Sequence, residues 1–273
     1  MEMVEKKGDI YKLANNIISG EFPELKNSKI VFNGINNILF CEKDVVLAES
    51  LIVFGANNSL IYLSSSRYEY KLDVHIFNNS ALYMGKNNHI NGKLNMVISE
   101  EKNIVIGSGG LFSFDIWMRV ADAHGIYNCH DKKRINQSQS IYIGDHVWVG
   151  QSALFLKGSK MGSGSIIEGN ALISEKTIPS NSYWGGNPAK ELSKDVFFDN
   201  AYVHEWTSEI TNENQELNSV EYIYEEDLEK PLKFDEIEEE LCNLKNNKEK
   251  MAFLTNKISN NTNKNRFFVN NML

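Results

Sequence analysis

From Ile143 onward a large apolar side chain returns at every sixth position, at Ile143, Val149, Phe155, Met161, Ile167 and Ile173. Two places before each stand Ile141, Val147, Ala153, Ser159, Ser165 and Ala171, most of them small. Directly after come Gly144, Gly150, Leu156, Gly162, Glu168 and Ser174. Such spacing matches neither an α-helix, which repeats every ~3.6 residues, nor a half-buried strand, which repeats every ~2. It suits a coil of short parallel strands, each sending one bulky residue inward, with tight turns between flat faces. Hexapeptide repetition of this kind marks a parallel β-helix, so a mainly β solenoid is expected.

Three regions follow from this reading. Residues 1–27 form a short, partly helical lead-in broken by Gly20 and Pro23. Residues 28–190 form the solenoid domain. Its early part carries short apolar runs (KIVF, NILF, LIYL, ALYMG) separated by Asn, Gly and Ser, as further coils of less regular length require. A polar, aperiodic stretch at about 108–140 interrupts the pattern and is expected to contain a protruding loop, the usual carrier of function on a regular scaffold. Residues 191–273 are a C-terminal extension. It opens as an acidic linker. Then Phe234, Ile237, Leu241, Leu244, Met251, Leu254 and Ile258 recur at helical steps, giving a heptad-like helix over 234–258. That helix is expected to pack back on the solenoid or on a sister subunit, and the final residues to fray.

Composition narrows the functional classes. A net charge of −8 argues against a nucleic-acid partner, since phosphate neutralisation needs clustered Lys and Arg. Cys41, Cys129 and Cys242 are scattered, with neither a disulfide framework nor metal-ligand spacing. The first residues lack a secretory apolar core, and no run of ~18 apolar residues suggests a membrane span. A reduced, cytoplasmic protein is the expectation. Neither GxxxxGK[ST] nor GxGxxG occurs, so ATP or NAD use is not expected.

The chemistry-bearing motifs are Arg119, Asp122, His124, Ile126 and Tyr127 in MRVADAHGIY, then Arg134-Ile135-Asn136, then IGDHVWVG at 143–150, then GNPAK at 186–190. In this order they resemble the hexapeptide-repeat acetyltransferase superfamily, in particular its sugar and capsular-polysaccharide O-acetyltransferase branch. The resemblance covers roughly residues 104–190. It implies a left-handed parallel β-helix, a homotrimer, and acetyl-CoA lying in a groove between neighbouring subunits, with no metal.

Within that resemblance His124 is the expected general base, because an imidazole titrating near neutrality can take the proton of an attacking hydroxyl and return it to the leaving thiolate. Asp122, two residues earlier, could orient that ring, hold an acceptor hydroxyl or merely cap its turn. Trp148 is a candidate to donate its indole N–H to the acceptor or the developing oxyanion, or to wall the pantetheine channel. Arg119 and Arg134 are candidate acceptor-binding cations, favouring an acidic sugar. Gly150 offers close backbone approach to the pantetheine arm, and Lys157, Ser174, Lys176 and Lys190 fall where relatives bind the rest of the cofactor. His146 reads as structural or cofactor-adjacent, and His130 as exposed. The expected activity is acetyl-CoA-dependent O-acetylation of a sugar in a surface polysaccharide. Three rival readings stand beside it. One is an N-acetyltransferase for amino-sugar nucleotides or an acetyltransferase for another small acceptor. Another is a zinc lyase using His89, His124 and His130. The third is a non-catalytic binding solenoid.

Overall fold

The computed structural model describes residues 1–226, 231–244 and 246–270. Residues 17–194 wind into a parallel β-solenoid of about seven turns. Among the described residues three sheets run along its axis, two of eight strands and one of six, beside a short two-stranded one. Strands pair in parallel with the equivalent strand of the next coil, except Glu2–Val4 and Lys190–Lys194 at the two ends, which pair antiparallel. The registers explain the two halves of the sequence. On the first sheet Ile52 pairs with Val74, Val74 with Met96 and Met96 with Met118, each 22 residues on. In the later coils Leu154 pairs with Leu172 and Val149 with Ile167, each 18 residues on, which is three hexapeptides. The early coils are therefore as regular as the later ones, contrary to expectation. Their longer repeat is invisible to a six-residue count.

Inward positions stack into one continuous core, with Ile30, Ile52, Val74, Met96 and Met118 all essentially inaccessible. Corners repeat too. Asn36, Asn58, Asn79 and Glu101 hold left-handed backbone at φ 59°, 58°, 56° and 61°, a conformation that Asn tolerates better than most residues. First-sheet strands alternate buried and part-exposed, as in Lys29–Phe32 and Leu72–Ile76. Leu60–Leu63 and Ala81–Met84 of the second sheet are buried throughout, so that sheet is covered on its outer face as well.

The cover is the C-terminal extension. Phe234, Ile237, Leu241, Leu254, Ile258 and Phe267 pack against Tyr62, Tyr83, Val105 and Tyr142. Each fully buried side chain of this size contributes roughly 1.5–3 kcal/mol. The single helix expected over 234–258 is instead Phe234–Asn243, then Asn247–Phe253 running into Leu254–Ser259. Leu244 is extended, and the Asn246 side chain accepts from Glu249 N to start the second helix. Of the tail expected to fray, residues 271–273 lie outside the described residues, and the part before them packs on the solenoid. Arg266, 5% exposed, reaches Asp145 through Nε to Oδ2 and Nη2 to Oδ1, both at 2.7 Å.

Two further boundaries shift. Ile17–Gly20 pairs in parallel with Ile38–Cys41, so the solenoid begins inside the expected lead-in, after a 3-10 helix at Lys7–Lys12. Leu111–Phe112 and Ile116–Arg119 are strands, so the loop expected at about 108–140 spans 120–140. No helix among the described residues is long and apolar enough to cross a membrane.

Candidate active site

Strand Ile116–Arg119 of the first sheet and strand Ile141–Ile143 of the second bracket the loop, which leaves the solenoid at the corner between them. Met118 pairs with Phe155 across 37 residues, where neighbouring coils need 22 or 18, and the excess is the loop. Its neck is closed by Gln139 N donating to Val120 O at 3.0 Å. Beyond the neck residues 122–133 are exposed, and they include His124, His130 and Cys129.

One buried side chain organises this exposed segment. Asn136, 6% exposed, donates from Nδ2 to Asp122 Oδ2 and to His124 O, both at 2.8 Å. Its Oδ1 accepts from Ile126 N at 2.8 Å and from Arg134 Nε at 3.1 Å. Arg134 continues to Glu100 at 3.0 Å, and Ser138 also bonds Glu100. A capped hydrogen-bond network therefore fixes the backbone of His124 while leaving its ring without a partner among the described residues. Sequence reasoning missed Asn136 as a functional residue, although it stands in the Arg134-Ile135-Asn136 motif.

Asp122 does not hold the His124 ring. Its Oδ2 accepts from Lys157 Nζ at 2.7 Å and from Asn136. The Lys157 hydrogen bond, then that of Asn136, holds the carboxyl below its usual range. Arg134 is likewise engaged within the loop. Arg119 behaves differently: its guanidinium lies 5.3 Å from the Trp117 ring, and no carboxylate pairs with it among the described residues.

The same corner carries other expected residues. Lys157 follows Leu154–Leu156, and one coil further Ser174 and Lys176 follow Leu172–Ile173. Ser174 is exposed, while Lys176 donates to Ala189 O at 2.8 Å and lies 5.1 Å from the Trp184 ring. Ala189 N donates to Leu172 O, which brings exposed Lys190 to this end of the corner. Loop, Asp122 and four candidate cofactor residues thus line one edge of the solenoid.

Trp148 does not join them within one chain. It opens the third-sheet strand Trp148–Val149, is 45% exposed, and has Phe198 for a neighbour at 5.8 Å. Gly150 has a packing reason of its own: a Cβ there would come within 3.0 Å of Gly169 in the next coil. His146 is buried. Its ring is stacked between Phe198 at 4.1 Å and Tyr222 at 4.2 Å, its Nε2 bonds Phe198 O at 3.0 Å, and burial pushes its pKa down. His89, His124 and His130 do not gather: among the described residues no group of three His, Cys, Asp or Glu side chains could hold a metal ion.

Comparisons with known proteins agree with this architecture. No protein-family model matches the chain. The chain is 32% identical over 102 residues to a polysialic acid O-acetyltransferase of Escherichia coli, covering 37% of this chain and 33% of that protein. It is 27% identical over 146 residues to a polysialic acid O-acetyltransferase of Neisseria meningitidis, covering 53% and 67% respectively. The alignments therefore span one third and about two thirds of those relatives. The crystal structure of the polysialic-acid-specific acetyltransferase NeuO superposes with a TM-score of 0.63 at 28% identity, covering 73% of this chain and 93% of that one. With the stacked coils, the corner loop and the ordered motifs from Arg119 to Lys190, these likenesses fit the chain to the hexapeptide-repeat acetyltransferase superfamily and its capsular-polysaccharide O-acetyltransferase branch.

Proposed function

We propose that this protein is an acetyl-CoA-dependent O-acetyltransferase acting on a hydroxyl of an acidic capsular or surface polysaccharide, with polysialic acid the acceptor that its relatives suggest. The observation that carries the reading is His124: an exposed imidazole, without a partner among the described residues, on a backbone clamped by Asn136 beside the Asp122–Lys157 pair. Bound acetyl-CoA would supply an activated acetyl carbonyl and a thiolate leaving group. His124 accepts the acceptor hydroxyl proton as that oxygen attacks, then returns the proton to the departing sulfur, and no residue is acylated. Lys157, Ser174, Lys176 and Lys190 fit an extended anionic ligand, since they follow one solenoid edge away from the loop. Lys190 is the most available of these cations, because Lys157 and Lys176 already have partners.

Trp148 stands on another sheet, so its indole N–H can serve the same reaction only across a subunit boundary. We therefore read the working assembly as a homotrimer, with the site in the crevice between neighbours. Incubation of the protein with acetyl-CoA and polysialic acid, followed by mass spectrometry of the glycan, should reveal added acetyl groups. A glycan unchanged in mass while acetyl-CoA remains intact would exclude this function.

A further inference from the structure

The outward face of the first sheet changes character at the strand that feeds the loop. Asp73 and His75 of one coil pair in register with Asn95 and Val97 of the next, and these pair with Trp117 and Arg119. Alternation along Ile116–Arg119 turns Ile116 and Met118 inward and Trp117 and Arg119 outward. Trp117 is 37% exposed, an unusual position for the largest aromatic side chain. Beside it the Arg119 guanidinium stands over the indole without a carboxylate among the described residues, in a chain with 36 acidic residues against 28 basic ones. A cavity of about 400 Å³ opens here, lined by Trp117, Arg119, Ala121, Asp122, Leu154 and Leu156. Small Ala121 and Ala123 leave it continuous with the foot of the His124 loop.

Resting on the reading of this protein as an acetyltransferase for an acidic glycan, we propose that Trp117 and Arg119 form the acceptor subsite that binds a carboxylate-bearing sugar ring. The flat indole receives the C–H face of the ring, burying apolar surface that both would otherwise expose. The guanidinium fork takes the carboxylate with two parallel N–H···O bonds, a match in geometry as well as charge. Asp122 in the same cavity does not oppose the anion, because Lys157 and Asn136 already hold its charge. Neutral sugars have nothing to offer Arg119, so the pair selects acidic acceptors and orients their hydroxyls toward the loop.

The test uses the full chain and two acceptors, an oligosialic acid and the same oligomer with its carboxylates reduced to alcohols. Initial rates are compared for the wild type, Arg119→Gln, Arg119→Lys and Trp117→Ala. Arg119→Gln should raise KM for the acidic oligomer about 10- to 100-fold, with KM for acetyl-CoA held. Arg119→Lys should fall between, and the reduced oligomer should be a poor substrate that Arg119→Gln leaves unchanged. Trp117→Ala should raise KM for both oligomers. Equal losses on both oligomers in Arg119→Gln, or a raised KM for acetyl-CoA, would overturn the subsite. Should the wild type transfer no acetyl group, the functional reading fails separately, and titration of tryptophan fluorescence decides. Saturable quenching by the oligosialic acid that Arg119→Gln abolishes supports the subsite, and no quenching overturns it.

Discussion

Replacing Asn136 by Ala removes four hydrogen bonds that converge on the loop: donations to Asp122 and His124 O, and acceptances from Ile126 N and Arg134. An ordinary bond of this kind contributes ~0.5–1.5 kcal/mol net, and those to charged groups about twice that. Water can replace much of the loss, because residues 122–133 are exposed, and a penalty of ~2–3 kcal/mol is a reasonable sum. That penalty falls on the loop and not on the solenoid, whose core lies elsewhere. If loop order is what holds His124 in place, kcat should fall about 30- to 160-fold. The denaturation midpoint should barely move. Limited proteolysis or amide exchange should show faster opening confined to residues 121–136. Asn136→Asp, isosteric but setting a second carboxylate beside Asp122, should be no better at neutral pH. Wild-type turnover in Asn136→Ala, or a turnover loss matched by global unfolding, would refute this reasoning.

Other variants probe the frame around the site. Burial lowers the His146 pKa from its usual 6.5, so below that pH the unfolded chain binds the proton more readily and stability declines with acidification, by at most ~1.4 kcal/mol per pH unit. Urea midpoints measured at about pH 7.5 and about pH 5.5 should show the decline, and His146→Gln should flatten it. Arg266→Met leaves the half-buried Asp145 without its cation and should cost about 2–3 kcal/mol in denaturant unfolding, part of it recovered by adding Asp145→Asn. Gly150→Ala forces a methyl group against the backbone of Gly169 and should destabilise by ~1–3 kcal/mol. KM for acetyl-CoA should stay unchanged, whereas a raised KM with full stability would return Gly150 to the cofactor.

The coil was legible because its signal is a period, and Ile143 through Ile173 repeat it without interruption. What stayed hidden was the 22-residue coil of the first half, since its inward residues (Ile30, Ile52, Val74, Met96) recur at a spacing that three hexapeptides do not make. Motif reading singled out His124 and Asp122 and left open what Asp122 holds. Its partner Lys157 lies 35 residues on, and only the stacking of coils at a shared corner brings the two together. Asn136 was marked only as a member of the Arg134-Ile135-Asn136 motif, because its four partners become apparent only in three dimensions. The helix pair at 234–258 shows the limit of periodicity in the other direction, since the apolar spacing runs through Leu244 while the first helix ends there in extended backbone and Asn246 caps the start of the next. Arg266 was unreadable too. A tail rich in Asn and Lys looks disordered until the Asp145 carboxylate that receives the buried Arg266 is seen.

The central claim is that the His124 imidazole moves the proton in acetyl transfer. It is tested most directly by the rate of thiol release from acetyl-CoA with polysialic acid present, wild type against His124→Ala. Loss of about 10²- to 10⁴-fold in kcat, with KM for acetyl-CoA and the fold retained, is the expected result. A His124→Ala protein turning over within a few-fold of wild type would contradict it.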